Sequence, residues 1–271
     1  MVVIGLGKAG CAVATLLKKY KEYKVILLDV GKGIKKQGTV EEYEENTPKF
    51  TKKLKFSESD VLFITCGAAK VAACSLRILE QIKDKNIHIV YVHPDANIET
   101  PQYMKRNRVV FNVLQEYTRS GVFKSMYLFD NRSISETLGE TSILEYYSKI
   151  NEVIANSLHT VNYFENTDPV FGSRSVSSGI SRIKTISVGS LEKNEENLYF
   201  PLDNVTETCY NYSVSSRELK NNSNVLTLIK ERGNKDKEDS INSSFCIYES
   251  PHDVSYFYSV KYTHFIQKEI K

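Results

Sequence analysis

The chain has 271 residues, 41% hydrophobic and 25% charged, with a formal net charge of +3. This is an ordinary composition for a soluble globular protein of one large domain or two smaller ones, and the small, dispersed charge leaves no footprint for nucleic acid. No run of eighteen apolar residues that could span a membrane occurs, and Met1 leads into an apolar segment without a signal peptide, so a cytoplasmic location is expected.

The stretch from Met1 to Asp29 reads as a buried strand, a glycine-rich turn, a helix and a second strand ending in an acidic residue. Gly5, Gly7 and Gly10 have the spacing G-x-G-x-x-G. The first two allow a tight turn and close backbone approach to a ligand, and the third lets helix and strand pack closely. The turn, which includes Lys8, opens a helix whose unpaired N–H groups and positive dipole end suit a phosphate. Asp29 stands where a ribose-hydroxyl acceptor is expected. The other reading is a turn whose glycines serve packing alone. The spacing does not say which nucleotide would be bound.

Strands and helices then alternate. A basic loop runs from Gly31 to Gly38, followed by a charged stretch, Thr39–Lys55, with little periodicity. Asp60–Cys66 is a continuous apolar strand, Ala68–Lys83 carries a helical stripe, His88–Val92 is another strand, Val109–Tyr117 a helix, and Ser125–Phe129 a strand ending in Asp130-Asn131. Apolar strands separated by helices predict a parallel sheet covered on both faces, with ligands outside the carboxyl ends of its strands.

The pattern changes at Ser142–Glu145, a capping-box sequence that predicts a helix of roughly eighteen residues to about His159. A loop follows from Val161 to Gly179. Strands are predicted at Arg182–Val188, Cys209–Val214, Phe245–Glu249 and Val254–Tyr262, with a helix at Arg217–Glu231 and a polar loop at Arg232–Ser243. The alternation of Tyr256, Tyr258, Val260 and Tyr262 predicts a half-exposed antiparallel sheet. The expected organisation is a nucleotide-binding part (1–141), a connecting helix (142–160) and a smaller α+β part (161–271).

This order of parts resembles the tubulin/FtsZ superfamily, distantly and over essentially the whole chain. Pro94 through the segment MYLFDNRSIS is similar to the family's helix and strand ending in an Asn-Asp pair. Tyr147 and Asn151, four apart and so on one helix face, match the family's guanine-stacking aromatic and base-reading Asn or Asp. Core packing of Tyr146 and Tyr147 is the plainer alternative. The resemblance implies a Rossmann-like α/β fold, GTP or GDP with Mg²⁺ as cofactor, and head-to-tail self-assembly into filaments.

Two departures bear on activity. The family's phosphate loop, GGGTG[ST]G, falls on Cys66–Ala72, where only Gly67 of its glycines remains. Ala68 and Ala69 are small but restrict positive φ, and Lys70 could supply a point charge to a phosphate oxygen or be a solvated lysine. The family's N-x-D-x-x-D loop, which positions the attacking water for the next subunit's nucleotide, corresponds to Asn162–Asp168. Here Phe164 and Thr167 occupy its acidic positions, and Glu165 and Asp168 come one residue late. Slow or absent hydrolysis is expected, with Glu165 and Asp168 as its candidate catalytic residues.

Other constellations are missing. Five histidines show no metal-ligand spacing, and neither a G-x-S-x-G elbow nor a G-x-x-x-x-G-K-[ST] loop occurs. His93, beside Pro94-Asp95, is the one histidine expected near the site. The five scattered cysteines (Cys11, Cys66, Cys74, Cys209, Cys246) read as reduced, packed thiols. Three function classes remain: a filament-forming guanine-nucleotide-binding protein, a dinucleotide-dependent oxidoreductase for which Gly5–Gly10 and Asp29 fit equally well, and a structural relative with a vestigial pocket.

Overall fold

The computed structural model describes residues 1–175, 179–191, 195–221, 224–250 and 255–268. Strands β1 (Val2–Leu6), β2 (Lys24–Leu28), β3 (Asp60–Thr65), β4 (Asn86–His93), β5 (Ser125–Asp130) and β7 (Ile183–Ser190) are parallel, in the order β2-β1-β3-β4-β5-β7. The sheet continues without a break into β11 (Tyr256–Thr263), β9 (Glu207–Ser215), β10 (Asn242–Ser250) and β6 (Phe171–Ser173), while β8 (Glu195–Leu198) pairs with β7. β11 is antiparallel to both neighbours, whereas β9 and β10 run parallel.

Apolar residues on both faces of the parallel strands require cover on both sides, and helices supply it. On one face, Val2, Ile4, Phe63 and Tyr91 pack under α2 (Val40–Glu45), α3 (Ser75–Glu80) and α4 (Pro101–Arg119), which contribute Tyr43, Ile78 and Phe111. On the other, Val3, Leu62, Ile64 and Val90 meet Val13 and Ala14 of α1 (Gly7–Leu17), Ile134 of α5 (Asn131–Leu138), and Ile150 and Ile154 of α6 (Tyr146–Glu165). No helix among the described residues is long and apolar enough to cross a membrane.

Several elements differ from the sequence expectations. The Ser142–Glu145 capping box does not form: α6 begins at Tyr146, Glu145 makes no side-chain cap, and Ile143 and Leu144 are fully exposed in the preceding turn. Nothing packs on those residues to draw the helix upstream. Its buried stripe instead runs on through Leu158, Val161 and Phe164, which carries the helix to Glu165. A capping box does form at Thr39 and Glu42, opening α2 inside the stretch that showed little periodicity. The Ala68–Lys83 helix divides into a 3-10 turn, Lys70–Cys74, and α3. α4 starts earlier than expected because Thr100 caps it ahead of Pro101.

In the second half, the Arg217–Glu231 helix becomes α7 (Ser216–Asn221) and α8 (Asn224–Glu238), and its residues 222–223 lie outside the described residues, as does Val254 of the last strand. Most of the expected polar loop is therefore helix. It is held by Asp236, whose carboxylate accepts from the Tyr210 hydroxyl at 3.3 Å, and by Arg232, whose guanidinium lies 4.0 Å from the Phe257 ring centre. β11 is covered on both faces rather than half-exposed, since α6 packs beneath Tyr258 and Val260 and α8 packs over Phe257.

Candidate functional site

The chain crosses from β2 on one side of β1 to β3 on the other, which opens a crevice at the carboxyl ends of β1 and β3. A Cβ on Gly5 would come within 2.4 Å of the Gly10 carbonyl oxygen, and one on Gly10 within 2.2 Å of the Ile64 carbonyl oxygen. Both glycines thus press the first turn of α1 onto β1 and β3. Gly7, at φ +72°, makes the turn itself. The residue before α1 is Leu6, which has no capping side chain, and the first helical turn contains no acidic residue. Its N–H groups are therefore available to an anion, and Lys8 beside them is exposed.

The loop after β3 meets this turn through Val71, whose side chain would lie 3.1 Å from a Cβ on Gly7. Gly67 is wedged over β4, where a Cβ would stand 2.2 Å from the Tyr91 hydroxyl oxygen. The Ala68 carbonyl accepts from Arg106 Nε at 2.9 Å, and Ala69 is extended before the 3-10 turn. The Lys70 ammonium donates to the Gly38 carbonyl and lines a cavity of about 650 Å³ between α2, α3 and α4. Asp29 closes the loop after β2, accepting from Val30 N–H at 2.8 Å through its carboxylate and from Lys32 and Ile34 N–H through its carbonyl.

The start of α6 faces the same edge. Tyr147 is 50% exposed and Asn151, one turn on, is half-buried. Burial raises the Tyr147 pKa, helped by the nearby charges of Glu99, Asp95 and Cys66. The hydroxyl of Tyr146 donates to Asp95 at 2.9 Å, tying α6 to the end of β4. His93 Nδ1 lies 3.2 Å from the Asp130 carboxylate, with both side chains buried, and its ring packs between Phe111 and Phe200. It is a core histidine.

Glu165 and Asp168 lie elsewhere. Glu165 ends α6 and lines a cavity of about 310 Å³ with Tyr23, Asp60, His88, Asn162 and Lys184, among them residues from the amino-terminal ends of β3, β4 and β7. Lys184 is buried, with its ammonium 4.0 Å from the Tyr127 ring centre; burial lowers its pKa, and the charge of Glu165 opposes the shift. Asp168 is exposed at a neighbouring cavity of about 410 Å³. α6 has 20 residues, so its two ends stand roughly 30 Å apart.

Compared with solved structures, the chain matches CetZ from Methanosaeta thermophila strain DSM 6194 at a TM-score of 0.70 and 13% identity, over 97% of this chain and 86% of that one. TubZ of Bacillus thuringiensis serovar israelensis, in a GTPγS-form protofilament, matches at 0.73 and 15%, over 96% and 87%. An FtsZ dimer of M. jannaschii matches at 0.68 and 12%, over 97% and 87%. The chain has the tubulin/FtsZ fold. No protein-family model matches the sequence, and no curated protein matches it.

Within this tubulin/FtsZ fold, Gly5, Gly7, Lys8, Gly10, Asp29, Gly67, Ala68 and Ala69 stand at or just beyond the carboxyl ends of β1, β2 and β3, and Tyr147 and Asn151 lie in the first two turns of α6. Lys70 is bound to Gly38 instead of reaching toward the glycine turn, and Glu165 and Asp168 occupy the opposite end. Sequence reasoning missed two residues, Arg106, which holds the Ala68 carbonyl, and Lys184, which lines one cavity with Glu165. Neither carries a local signal, because each acts across strands or helices distant in sequence, whereas Asp95, expected beside the site, anchors Tyr146.

Proposed function

We propose that the chain binds a guanine nucleotide at the carboxyl edge of its sheet and assembles head to tail into filaments. The observation that carries this reading is the placement of Asn162–Asp168 at the far end of α6 from Tyr147 and Asn151. One subunit cannot bring the two groups together, whereas a second copy stacked along the helix direction can. Such a contact is heterologous and does not close, so it repeats as a filament. TubZ, of the same fold, occurs in a GTPγS-form protofilament.

The residues present fit a nucleotide. The uncapped first turn of α1, Gly7–Gly10, would take the phosphates, with the backbone of Gly67–Ala69 on the facing side. Asp29 would take a ribose hydroxyl, Tyr147 would stack on the base, and Asn151 would bond its edge. GTP would supply the phosphoanhydride bond to be cleaved, with Mg²⁺ arriving on its phosphates. A carboxylate positioning water must come within hydrogen-bond reach of it. Glu165 and Asp168, each one residue later than the acids of the family's register, do so less readily, so hydrolysis is slow. In this reading residues 1–141 bind nucleotide, 142–160 connect, and 161–271 carry the surface for the next subunit. Calorimetric titration with GTP, GDP and NAD(H) tests it: guanine nucleotide should bind more tightly, and a preference for NAD(H) would instead establish the oxidoreductase reading.

A further inference from the structure

We infer that the cavity of about 650 Å³ between α2, α3 and α4 binds an aliphatic carboxylate, with its acidic head near the start of α4 and its chain along that helix. None of Gly5–Gly10, Asp29, Tyr147 or Asn151 lines this cavity, which shares only the loop after β3 with the proposed nucleotide site. It is a second pocket, independent of the nucleotide reading.

The lining follows one face of α4 and changes character along it. Gln102, Lys105 and Arg106 are polar, whereas Val109, Val110 and Val113, which continue the same spacing of three and four, are apolar. From Arg106 to Val113 the helix rises roughly 10 Å. The facing wall is small and aliphatic: Ala69, Ala73 and Leu76 are only half-buried there, and Val109 across from them is 60% exposed. α2, α3 and α4 cover the sheet without closing on one another. They leave a trough of apolar surface that an aliphatic chain would remove from water.

Charge selects the head. Lys70, Lys105 and Arg106 line the cavity with two carboxylates, Glu41 and Glu44, both on α2, so the lining is net positive. The carboxylates are already engaged: Glu44 faces Arg77 at 3.8 Å, and its own N–H and the Thr39 side chain hold the Glu41 pKa below its ordinary value. The cations meet only neutral groups. Lys70 donates to the Gly38 carbonyl, Arg106 Nε donates to the Ala68 carbonyl, and the Arg106 guanidinium lies 4.4 Å from the Tyr103 ring centre. A carboxylate at Lys105 and Arg106 would supply the charge-assisted partner that they lack. Because cations and apolar residues share one helix face, the ligand needs both parts, which neither a free phosphate nor a hydrocarbon has.

Calorimetry of the full chain without nucleotide, using decanoate below its micellar concentration as the probe, tests this. One decanoate should bind per chain, and each methylene removed, down to hexanoate, should weaken binding about fourfold. 1-Decanol, which has the chain but no charge, should bind about tenfold more weakly. Val109→Asp should cost about tenfold in decanoate affinity, and Lys105→Gln about threefold. Neither side chain is buried, so both variants should melt like wild type. Saturating GTP should leave decanoate bound. Absence of saturable binding, equal affinity for 1-decanol, or wild-type affinity in Val109→Asp overturns the site. Displacement by GTP also overturns it, by making the cavity part of the nucleotide site. A chain that fails to bind decanoate leaves the nucleotide reading untouched, and one that fails to bind GTP leaves this pocket standing.

Discussion

Tyr147 and Glu165 stand at opposite ends of the same helix, with roughly 27 Å of α6 between them. Tyr147 faces the loops that follow β3 and β4, and Glu165 lies among the starts of the parallel strands, beside Lys184. In the proposed reading, in which Tyr147 stacks on the base and Glu165 positions water, residues so placed would serve one nucleotide only across two subunits.

Asn151 provides the test of base identity. Its side-chain amide both donates and accepts, whereas a carboxylate only accepts. Asn151→Asp should therefore move preference from guanine to xanthine by at least tenfold in the ratio of dissociation constants for GTP and XTP. An unchanged ratio would remove Asn151 from the base site.

Gly10 tests the packing of the turn. Its missing Cβ would stand 2.2 Å from a backbone oxygen of β3, which no side-chain movement can relieve. Gly10→Ala should cost about 1–3 kcal/mol of stability, read as a lowered Tm, and weaken nucleotide binding through displacement of α1. Gly31→Ala, where a Cβ meets no atom within 4 Å, should cost about 1 kcal/mol for its positive φ alone.

His88 makes stability depend on acid. Burial and then the nearby Lys184 push its pKa down to about 4, against an ordinary value of 6.5. The unfolded chain takes up the proton first, so stability is complete above pH 6.5 and falls as pH drops toward 4, by up to about 3 kcal/mol. Asp60, which its bonds to Ser59 and Asn86 hold below its usual range against the opposing effect of burial, shifts stability in the same direction. His88→Gln should flatten the decline between pH 6.5 and 4 in urea titrations.

Glu165 and Asp168 test the shared site. The double change Glu165→Ala, Asp168→Ala should leave nucleotide binding by the monomer at wild-type affinity. Any GTP hydrolysis, measured as phosphate release, should disappear, and polymer should turn over more slowly. A double variant that hydrolyses GTP at the wild-type rate would exclude these two carboxylates.

What the sequence reveals and what it conceals follows the range of the interactions. The Gly5–Gly10 turn was legible because strand, glycines and helix are contiguous, and the shared helix of Tyr147 and Asn151 because a four-residue spacing is a local fact. The start of α6 was misread because Ser142 and Glu145 have the letters of a capping box, while helix position is set by the burial of Ile150 through Phe164 against the sheet. Lys70 could not be placed from sequence, since its partner Gly38 belongs to another loop. The continuity of the sheet was hidden for the same reason: it depends on β7 docking beside β5 across more than 50 residues.

Assembly is the claim on which the account turns, and sedimentation with light scattering, at rising protein concentration in GTP and Mg²⁺, measures it directly. The expected result is a concentration-dependent polymer, visible as filaments by electron microscopy, that persists because hydrolysis is slow. A protein that remains monomeric at high concentration with both present would contradict it.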